Sequence, residues 1–185
     1  MRVDELELPD GVATLLKEEG IVNLHPPQAK AVPYALDGKN LMLAIPTASG
    51  KSLVAYLAAA KHVLERGGKV LYIVPLRALA SEKFDDLKKF ERLGVKVAMS
   101  AGDLDSPDPQ LDNFDIIVAT SEKADSLLRH QSSWLDRITL VVADEVHLIH
   151  DPGRGPTLEV TLTKFRKLNP SLQIIALSAT IKNAR

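Results

Sequence analysis

The chain contains no cysteine among its 185 residues. Disulfide bonds, thiolate metal sites and cysteine nucleophiles are therefore excluded. Aromatic residues are also scarce, at 4%, and the formal net charge is only −1. A nearly neutral chain does not coat nucleic acid through bulk charge, although a local strip of cations can still bind phosphates.

Long apolar runs are absent as well. No run reaches the length of about 20 residues that a membrane-spanning helix needs. The first residues are acidic and lack the apolar core of a secretory signal. We therefore expect a soluble, cytoplasmic monomer that contacts no membrane. A hydrophobic content of 45% over this length predicts one globular domain, residues 1–185.

Six short apolar runs alternate with helical patterns along the chain. The runs are mostly apolar on consecutive residues, which is typical of strands covered on both faces. They span residues 41–45, 70–74, 95–99, 116–120, 140–143 and 174–177, and the helical patterns span residues 53–64, 76–93, 122–130 and 158–168. This alternation predicts an α/β fold with a mostly parallel sheet and helices on both faces. The carboxyl ends of such strands meet at one edge, where ligands bind.

Local signals predict three further features. Asp10 is in position to cap a first helix, and a second helix is predicted to begin at Pro26. Pro33 lies inside that second pattern and is expected to kink or shorten the helix. Residues 101–113, rich in aspartate and proline, predict a solvated loop.

A turn of small residues follows the first predicted strand. It reads Ile45-Pro46-Thr47-Ala48-Ser49-Gly50-Lys51-Ser52. A strand, a turn ending in Gly-Lys-Ser and a helix form a cradle for nucleotide phosphates. Its backbone N–H groups would bind phosphates, with Lys51 over the β- and γ-phosphates and Ser52 facing Mg²⁺. The alternative is an ordinary turn that contains Gly-Lys-Ser by chance. The motif is also a variant, because Ile45 stands where the general pattern has its first glycine.

Adjacent carboxylates end the strand predicted at residues 140–143. Phosphoryl transfer needs one carboxylate to hold the metal, usually through water, and another to orient and deprotonate the attacking water. We assign Asp144 to the first role and Glu145 to the second; the alternative is a pair of solvated acids. The hydroxyls of Ser178 and Thr180 end another strand and are expected to reach His147 or Asp144, unless they mark only a routine end of a strand.

The order of these motifs resembles that of superfamily 2 helicases. In chain order the motifs are Gln28, Pro46-Thr47-Ala48-Ser49-Gly50-Lys51-Ser52, Pro75-Leu76-Arg77-Ala78-Leu79-Ala80, Thr120-Ser121-Glu122-Lys123, Asp144-Glu145-Val146-His147 and Ser178-Ala179-Thr180. Residues 24–28, 120–127 and 155–159 are similar to the archaeal Hjm-type DNA-repair helicases, which are related to the helicase domain of polymerase theta. The resemblance spans residues 20–182, nearly the whole chain.

The resemblance implies a RecA-like domain, the ATP-binding first motor lobe of a larger archaeal DNA helicase. Such a helicase would couple ATP hydrolysis to 3′-to-5′ translocation on single strands, forks or junctions during DNA repair or recombination. ATP and Mg²⁺ are the implied cofactors. A second RecA-like lobe in the same protein would supply the arginine that completes the site, so the isolated lobe is expected to be nearly inactive.

The resemblance also implies roles for single residues. Gln28 would read adenine, residues 46–52 would bind the nucleotide, and His147, Ser178 and Thr180 would couple nucleotide state to movement. The implied contacts with nucleic acid are Arg77, Gly102, Thr120, Ser121 and Lys123. Arg154 receives no role.

Simpler interpretations stay open for several of these residues. Thr120 or Ser121 alone would be a helix N-cap, Arg77 and Lys123 solvated charges, and Gln28 a solvated amide. For the chain, the alternatives are the first lobe of an RNA helicase, a regulatory nucleotide-binding module or a small-molecule kinase.

Overall fold

The computed structural model describes residues 1–46, 49–102, 104, 106–153 and 155–179. In this part of the chain the strands are β1 Leu41–Ala44, β2 Lys69–Val74, β3 Val97–Ser100, β4 Ile116–Thr120, β5 Ile138–Ala143 and β6 Gln173–Ser178. The α-helices of the same ranges are α1 Val12–Glu18, α2 Pro26–Leu36, α3 Lys51–Leu64, α4 Arg77–Leu87, α5 Ser121–Arg129 and α6 Gly155–Leu168.

The strands form one sheet in the spatial order β1-β6-β5-β2-β4-β3, and every pairing is parallel. Each strand therefore ends at the same edge, and the segments after β1, β2, β4 and β5 lead into α3, α4, α5 and α6. The predicted α/β fold is confirmed. No helix in the described ranges is long and apolar enough to cross a membrane.

Side chains of the central strand β2 alternate between two hydrophobic cores, as the two-residue period of a strand requires. Val70, Tyr72 and Val74 belong to a core shared with α1, α2, α3 and α4. Leu71 and Ile73 belong to a core shared with α5 and α6. Helices thus cover both faces, which explains why the strands read as continuous apolar runs.

The helix boundaries depart from prediction where tertiary contacts decide them. Asp10 does not cap α1; the N-cap is Gly11 at φ +81°, where an added Cβ would lie 2.7 Å from Leu93 Cδ2. Helix α2 begins at Pro26 as predicted but is not shortened at Pro33, whose carbonyl accepts a hydrogen bond from Asp37 N at 3.0 Å. A proline lacks its own N–H and its ring crowds the turn before it, so the hydrogen bonds of the turns after it persist.

The loop between β3 and β4 is exposed over much of its described length, as predicted, with Leu104, Pro107 and Pro109 exposed. It also contains a short 3₁₀ turn, Pro109–Asn113, in which Leu111 is buried. The hydroxyl of Ser126 donates to the carbonyl of Leu104, and that of Ser132 donates to the carbonyl of Pro107 at 3.0 Å. These hydroxyls, distant in sequence, hold the loop's backbone, which the sequence pattern did not predict.

Candidate nucleotide site and strand-binding edge

The turn between β1 and α3 has the conformation expected of a phosphate cradle at its helix end. Gly50 is the N-cap of α3 with φ +72°, a left-handed conformation that strains other residues. A Cβ at this position would also clash with the side-chain nitrogen of Gln28. The hydroxyl of Ser49 donates to the carbonyl of Pro46. Thr47 and Ala48, also predicted to bind nucleotide, lie outside the described residues.

Gln28 is buried against this turn rather than solvated. It is 3% exposed, and its Nε2 donates to the carbonyl of Gly50 at 2.9 Å. Its Oε1 accepts from the backbone N–H of His25 at 2.8 Å, as a residue at the third position of a helix commonly does. One amide hydrogen and one oxygen lone pair remain for a ligand. Adenine recognition by Gln28 stays a prediction.

Lys51 and Glu145 meet although they lie on separate elements. The Lys51 ammonium donates to Glu145 Oε1 at 2.9 Å, and the two side chains are 8% and 22% exposed. The other oxygen, Oε2, lies 3.2 Å from His147 Nδ1, without the alignment of a hydrogen bond. Glu145 has φ +53°, an uncommon conformation for a residue with a side chain. Glu145 is thus a fixed, paired carboxylate, and a solvated acid is the wrong interpretation.

Asp144 is buried at the end of β5, where its backbone N–H donates to Ile73 O at 2.8 Å. Its Oδ2 accepts from the Tyr72 hydroxyl at 2.9 Å, and its Oδ1 accepts from the backbone N–H of Glu145 at 2.9 Å. Burial raises the pKa of the Asp144 carboxyl, whereas the hydrogen bond from Tyr72 lowers it. The carboxylate is held from both sides.

The oxygen atoms of Ser52 and Asp144 suit Mg²⁺, which prefers hard oxygen ligands and usually binds one or two carboxylates together with substrate phosphates and water. No group of three or more acidic or histidine side chains able to hold a metal exists in the described ranges. Ser52 and Asp144 would thus suit a metal whose other ligands are nucleotide phosphates and water.

Two neighbouring cavities form a groove over the start of α3. One, of about 440 Å³, is lined by Lys51, Ser52 and Glu145 and by residues of α4. The other, of about 500 Å³, is lined by His25 and Gln28. Gly50 and Leu53 line both cavities. The groove joins the glutamine to the paired carboxylate, and its size suits a small-molecule ligand.

Of the motif Ser178-Ala179-Thr180, which is expected to couple nucleotide state to movement, the structure describes the first two residues. Ser178 is fully buried, and its hydroxyl donates to the carbonyl of Ala179 at 2.7 Å. The predicted hydrogen bond from Ser178 to His147 or Asp144 is not made, because the adjacent carbonyl takes its proton. Thr180 lies outside the described residues, as does Arg154.

Arg77 and Gly102, two of the predicted strand contacts, are exposed at the carboxyl edge of the sheet. Arg77 is the first residue of α4, and Gly102 follows β3. Thr120 is the N-cap of α5, since its side chain accepts from Lys123 N at 3.3 Å. Ser121 is buried. The N-cap interpretation of Thr120 is confirmed, while nucleic-acid binding by these four residues stays a prediction.

Lys123 occupies a different environment from the one predicted. It is 1% exposed, and its ammonium lies 2.8 Å from Asp108 Oδ2 and donates to Ser106 O at 2.9 Å. Although burial raises the pKa of the Asp108 carboxyl, hydrogen bonds from Lys123, Ser106 and Ser100 lower it to about 2. The ammonium is therefore not placed for the predicted phosphate contact, and it is not a solvated charge either.

The parallel sheet and the motifs at its carboxyl edge define a RecA-like helicase domain with a groove over the start of α3. The chain belongs to the DEAD/DEAH box helicase family, which matches residues 25–185. The predicted membership of superfamily 2 helicases is thereby confirmed.

Archaeal DNA helicases are among the similar proteins. The chain is 58% identical over 191 residues to the ATP-dependent DNA helicase Hel308 of Methanocella arvoryzae, covering 100% of this chain and 26% of that protein. It is 53% identical to the ATP-dependent DNA helicase Hel308 of Pyrococcus abyssi, covering 99% and 25%. The chain thus spans about a quarter of these relatives. A crystal structure of the DUF1998 helicase MrfA bound to DNA has the same fold, with a TM-score of 0.80 at 23% identity over 95% of this chain and 27% of that chain.

Proposed function

We propose that this chain is the ATP-binding first motor lobe of an ATP-dependent DNA helicase. The contact between Lys51 Nζ and Glu145 Oε1 at 2.9 Å carries the proposal. It brings the cation of the phosphate turn and the carboxylate of the second motif together in one groove, beside the buried Asp144. A regulatory module would not need this set of charges.

Each residue has a distinct task in this proposal. Lys51 would bind the β- and γ-phosphates, and Glu145 would orient the attacking water and accept its proton. Ser52 and Asp144 would hold Mg²⁺, which when bound neutralises phosphate charge. Gln28 would use its remaining donor and acceptor for adenine.

The longer protein would use this lobe to move along DNA in the 3′-to-5′ direction during repair or recombination. The names of the archaeal relatives support DNA over RNA. No arginine is among the described residues that line the groove. We therefore expect a second lobe to supply it and the chain alone to hydrolyse ATP very slowly, since such an arginine is worth about 10³–10⁵ in rate. We further propose that the protein acts as a monomer in the archaeal cytoplasm.

Nucleotide binding by Lys51→Ala tests the proposal. Removal of the ammonium should weaken ATP and ADP binding roughly 10-fold or more, since a hydrogen bond to a charged group contributes about 1.5–3 kcal/mol. Isothermal titration calorimetry with Mg²⁺ measures this on the 185-residue chain. Lys39→Ala is the control, because Lys39 lies before β1, at the opposite edge of the sheet. Equal nucleotide affinities for wild type and Lys51→Ala would overturn the proposal.

A further inference from the structure

A tyrosine is hydrogen-bonded to Asp144, one of the two residues expected to hold Mg²⁺. Tyr72 belongs to the central strand β2 and is fully buried, and its hydroxyl donates to Asp144 Oδ2 at 2.9 Å. The other residues of the strand between Val70 and Val74 are aliphatic. A phenylalanine would supply the same ring, so packing alone does not account for the hydroxyl. A buried hydroxyl is costly unless it is hydrogen-bonded, and here its partner is a carboxylate of the candidate site.

A second tyrosine packs beside it and provides an internal comparison. The ring centroids of Tyr56 and Tyr72 are 5.9 Å apart at an interplanar angle of 44°. The hydroxyl of Tyr56 donates to Asp86 Oδ2 at 2.7 Å, away from Asp144. Burial raises the pKa of both tyrosines, and the aspartate that accepts each hydroxyl raises it further. Of the two hydroxyls, that of Tyr72 is the one bonded to an expected metal-binding residue.

The carboxylate of Asp144 is fixed at both oxygens. Tyr72 occupies one lone pair of Oδ2, and the backbone N–H of Glu145 occupies one lone pair of Oδ1. One lone pair on each oxygen remains for a metal or its bound water. The backbone N–H belongs to the same turn as the aspartate, whereas Tyr72 comes from the neighbouring strand and so ties the carboxylate to the sheet.

We propose that Tyr72 is a positioning residue for the nucleotide-bound Mg²⁺, acting through its hydrogen bond to Asp144. The inference rests on the proposed function, because it concerns the metal that accompanies the nucleotide. Groups that orient a metal's ligands commonly contribute 10–100-fold to metal affinity, which is roughly the size of effect expected here. Without the hydroxyl, Oδ2 is buried with one partner fewer and the side chain is free to rotate.

Tyr72→Phe tests this inference, with Tyr56→Phe as the matched control. Each substitution removes one hydroxyl bonded to an aspartate and keeps the ring. We would titrate Mg²⁺ against the 185-residue chain at fixed ADP and measure the half-saturating Mg²⁺ concentration. Tyr72→Phe should raise that concentration by about 10-fold, while ADP binding in EDTA stays as in wild type. Tyr56→Phe should leave the Mg²⁺ requirement unchanged.

The outcomes separate this inference from the proposed function. If wild type shows Mg²⁺-dependent ADP binding and Tyr72→Phe needs no more Mg²⁺ than Tyr56→Phe, the positioning role is overturned and the hydroxyl is structural. If wild type itself shows no Mg²⁺-dependent binding of ADP, the proposed function is overturned, and the positioning role that rests on it is overturned as well.

A double variant keeps the test decisive if Tyr72→Phe changes stability, which thermal unfolding would reveal. In an Asp144→Asn background, adding Tyr72→Phe should raise the Mg²⁺ requirement much less than it does in wild type. An equal rise in both backgrounds would show that Tyr72 does not act through Asp144.

Discussion

The two carboxylate oxygens of Glu145 lie close to two different nitrogens, Lys51 Nζ at 2.9 Å and His147 Nδ1 at 3.2 Å. The backbone of Glu145 lies in the left-handed region at φ +53°, where a residue with a side chain is strained. That conformation lets one carboxylate reach Lys51 across the groove and His147 two residues along the chain. The ammonium and the carboxylate that hydrolysis is expected to need therefore form an ion pair with each other.

This pairing predicts an unusual effect of Glu145→Gln. The amide keeps the shape but loses the charge that holds Lys51, so nucleotide affinity should stay equal or rise a few-fold. Turnover in the longer helicase should be lost, because an amide cannot accept the proton of the attacking water. Calorimetry and phosphate-release assays measure the two effects, with the exposed Glu159→Gln as control. Weaker binding with retained turnover would contradict these roles.

At the scale of elements, the sequence predicted the sheet well because its strands are buried on both faces. The predicted run 116–120 coincides with β4, and the run 140–143 misses only the first two residues of β5. Helix α4 was predicted to run to residue 93 but ends at Leu87, where a 3₁₀ turn continues. Apolar spacing does not distinguish these two helix types over one or two turns.

The side chains that sequence reasoning missed or misplaced depend on distant partners. Lys123 was predicted to be a surface cation because no pattern in the neighbouring sequence indicates its ion pair with Asp108. Tyr72 looked like another apolar residue of a strand, and its hydroxyl finds Asp144 only when β2 and β5 pair. The motifs themselves were visible because their residue types are adjacent in the chain. Their supporting contacts are long-range and leave no local signal.

The ion pair that joins the β3–β4 loop to α5 should be strongly coupled. Lys123→Met and Asp108→Asn should each destabilise the fold, and the double variant should lose less than the sum, with a coupling of about 1–3 kcal/mol in urea unfolding. The exposed pair of Arg92 and Glu18 is the control, with an expected coupling below about 1 kcal/mol. A coupling free energy between Lys123 and Asp108 no larger than that of the control pair would show that the buried ion pair does not stabilise the fold.

The same pair predicts a pH dependence. The pKa of Asp108 is lowered in the folded state from 3.8 to about 2. The stabilisation that the ionised Asp108 contributes is therefore fully present at pH values above its unfolded-state pKa. It is lost as the pH falls through its folded-state pKa. The measured coupling should be constant from pH 7 to about pH 5 and decline below about pH 4.

At the scale of the whole molecule, both proposed ligands would bind at the carboxyl edge of the sheet. The groove proposed for the nucleotide lies over the start of α3, and the exposed Arg77 and Gly102 lie after β2 and β3. A single strand lying across Arg77 and Gly102 would meet the sheet near the elements expected to hold the nucleotide. The buried Lys123 would support this surface from below through the β3–β4 loop.

Arg77→Ala in the longer helicase should weaken binding about equally for all single-stranded sequences, since an interaction with phosphate carries no base information. The log–log slope of affinity against salt should become shallower by about 0.7, the value for one neutralised phosphate on a single strand. Fluorescence anisotropy at several salt concentrations measures this. Arg166→Ala is the control, because Arg166 is exposed in the last turn of α6, at the opposite edge. An unchanged slope for Arg77→Ala would show that Arg77 does not contact phosphate and is a solvated charge.

The hydrogen bond from Gln28 to the carbonyl of Gly50 links two events usually treated as separate. The amide expected to read the base also holds the residue that shapes the phosphate turn. If binding of the base strengthens or weakens that hydrogen bond, the affinity of the turn for phosphates would change as well. Linkage requires that phosphate binding change the affinity for the base by the same factor. With Gln28 in that role, base recognition and phosphate binding would form one thermodynamic unit, and a nucleotide would be recognised as a whole rather than as the sum of its parts.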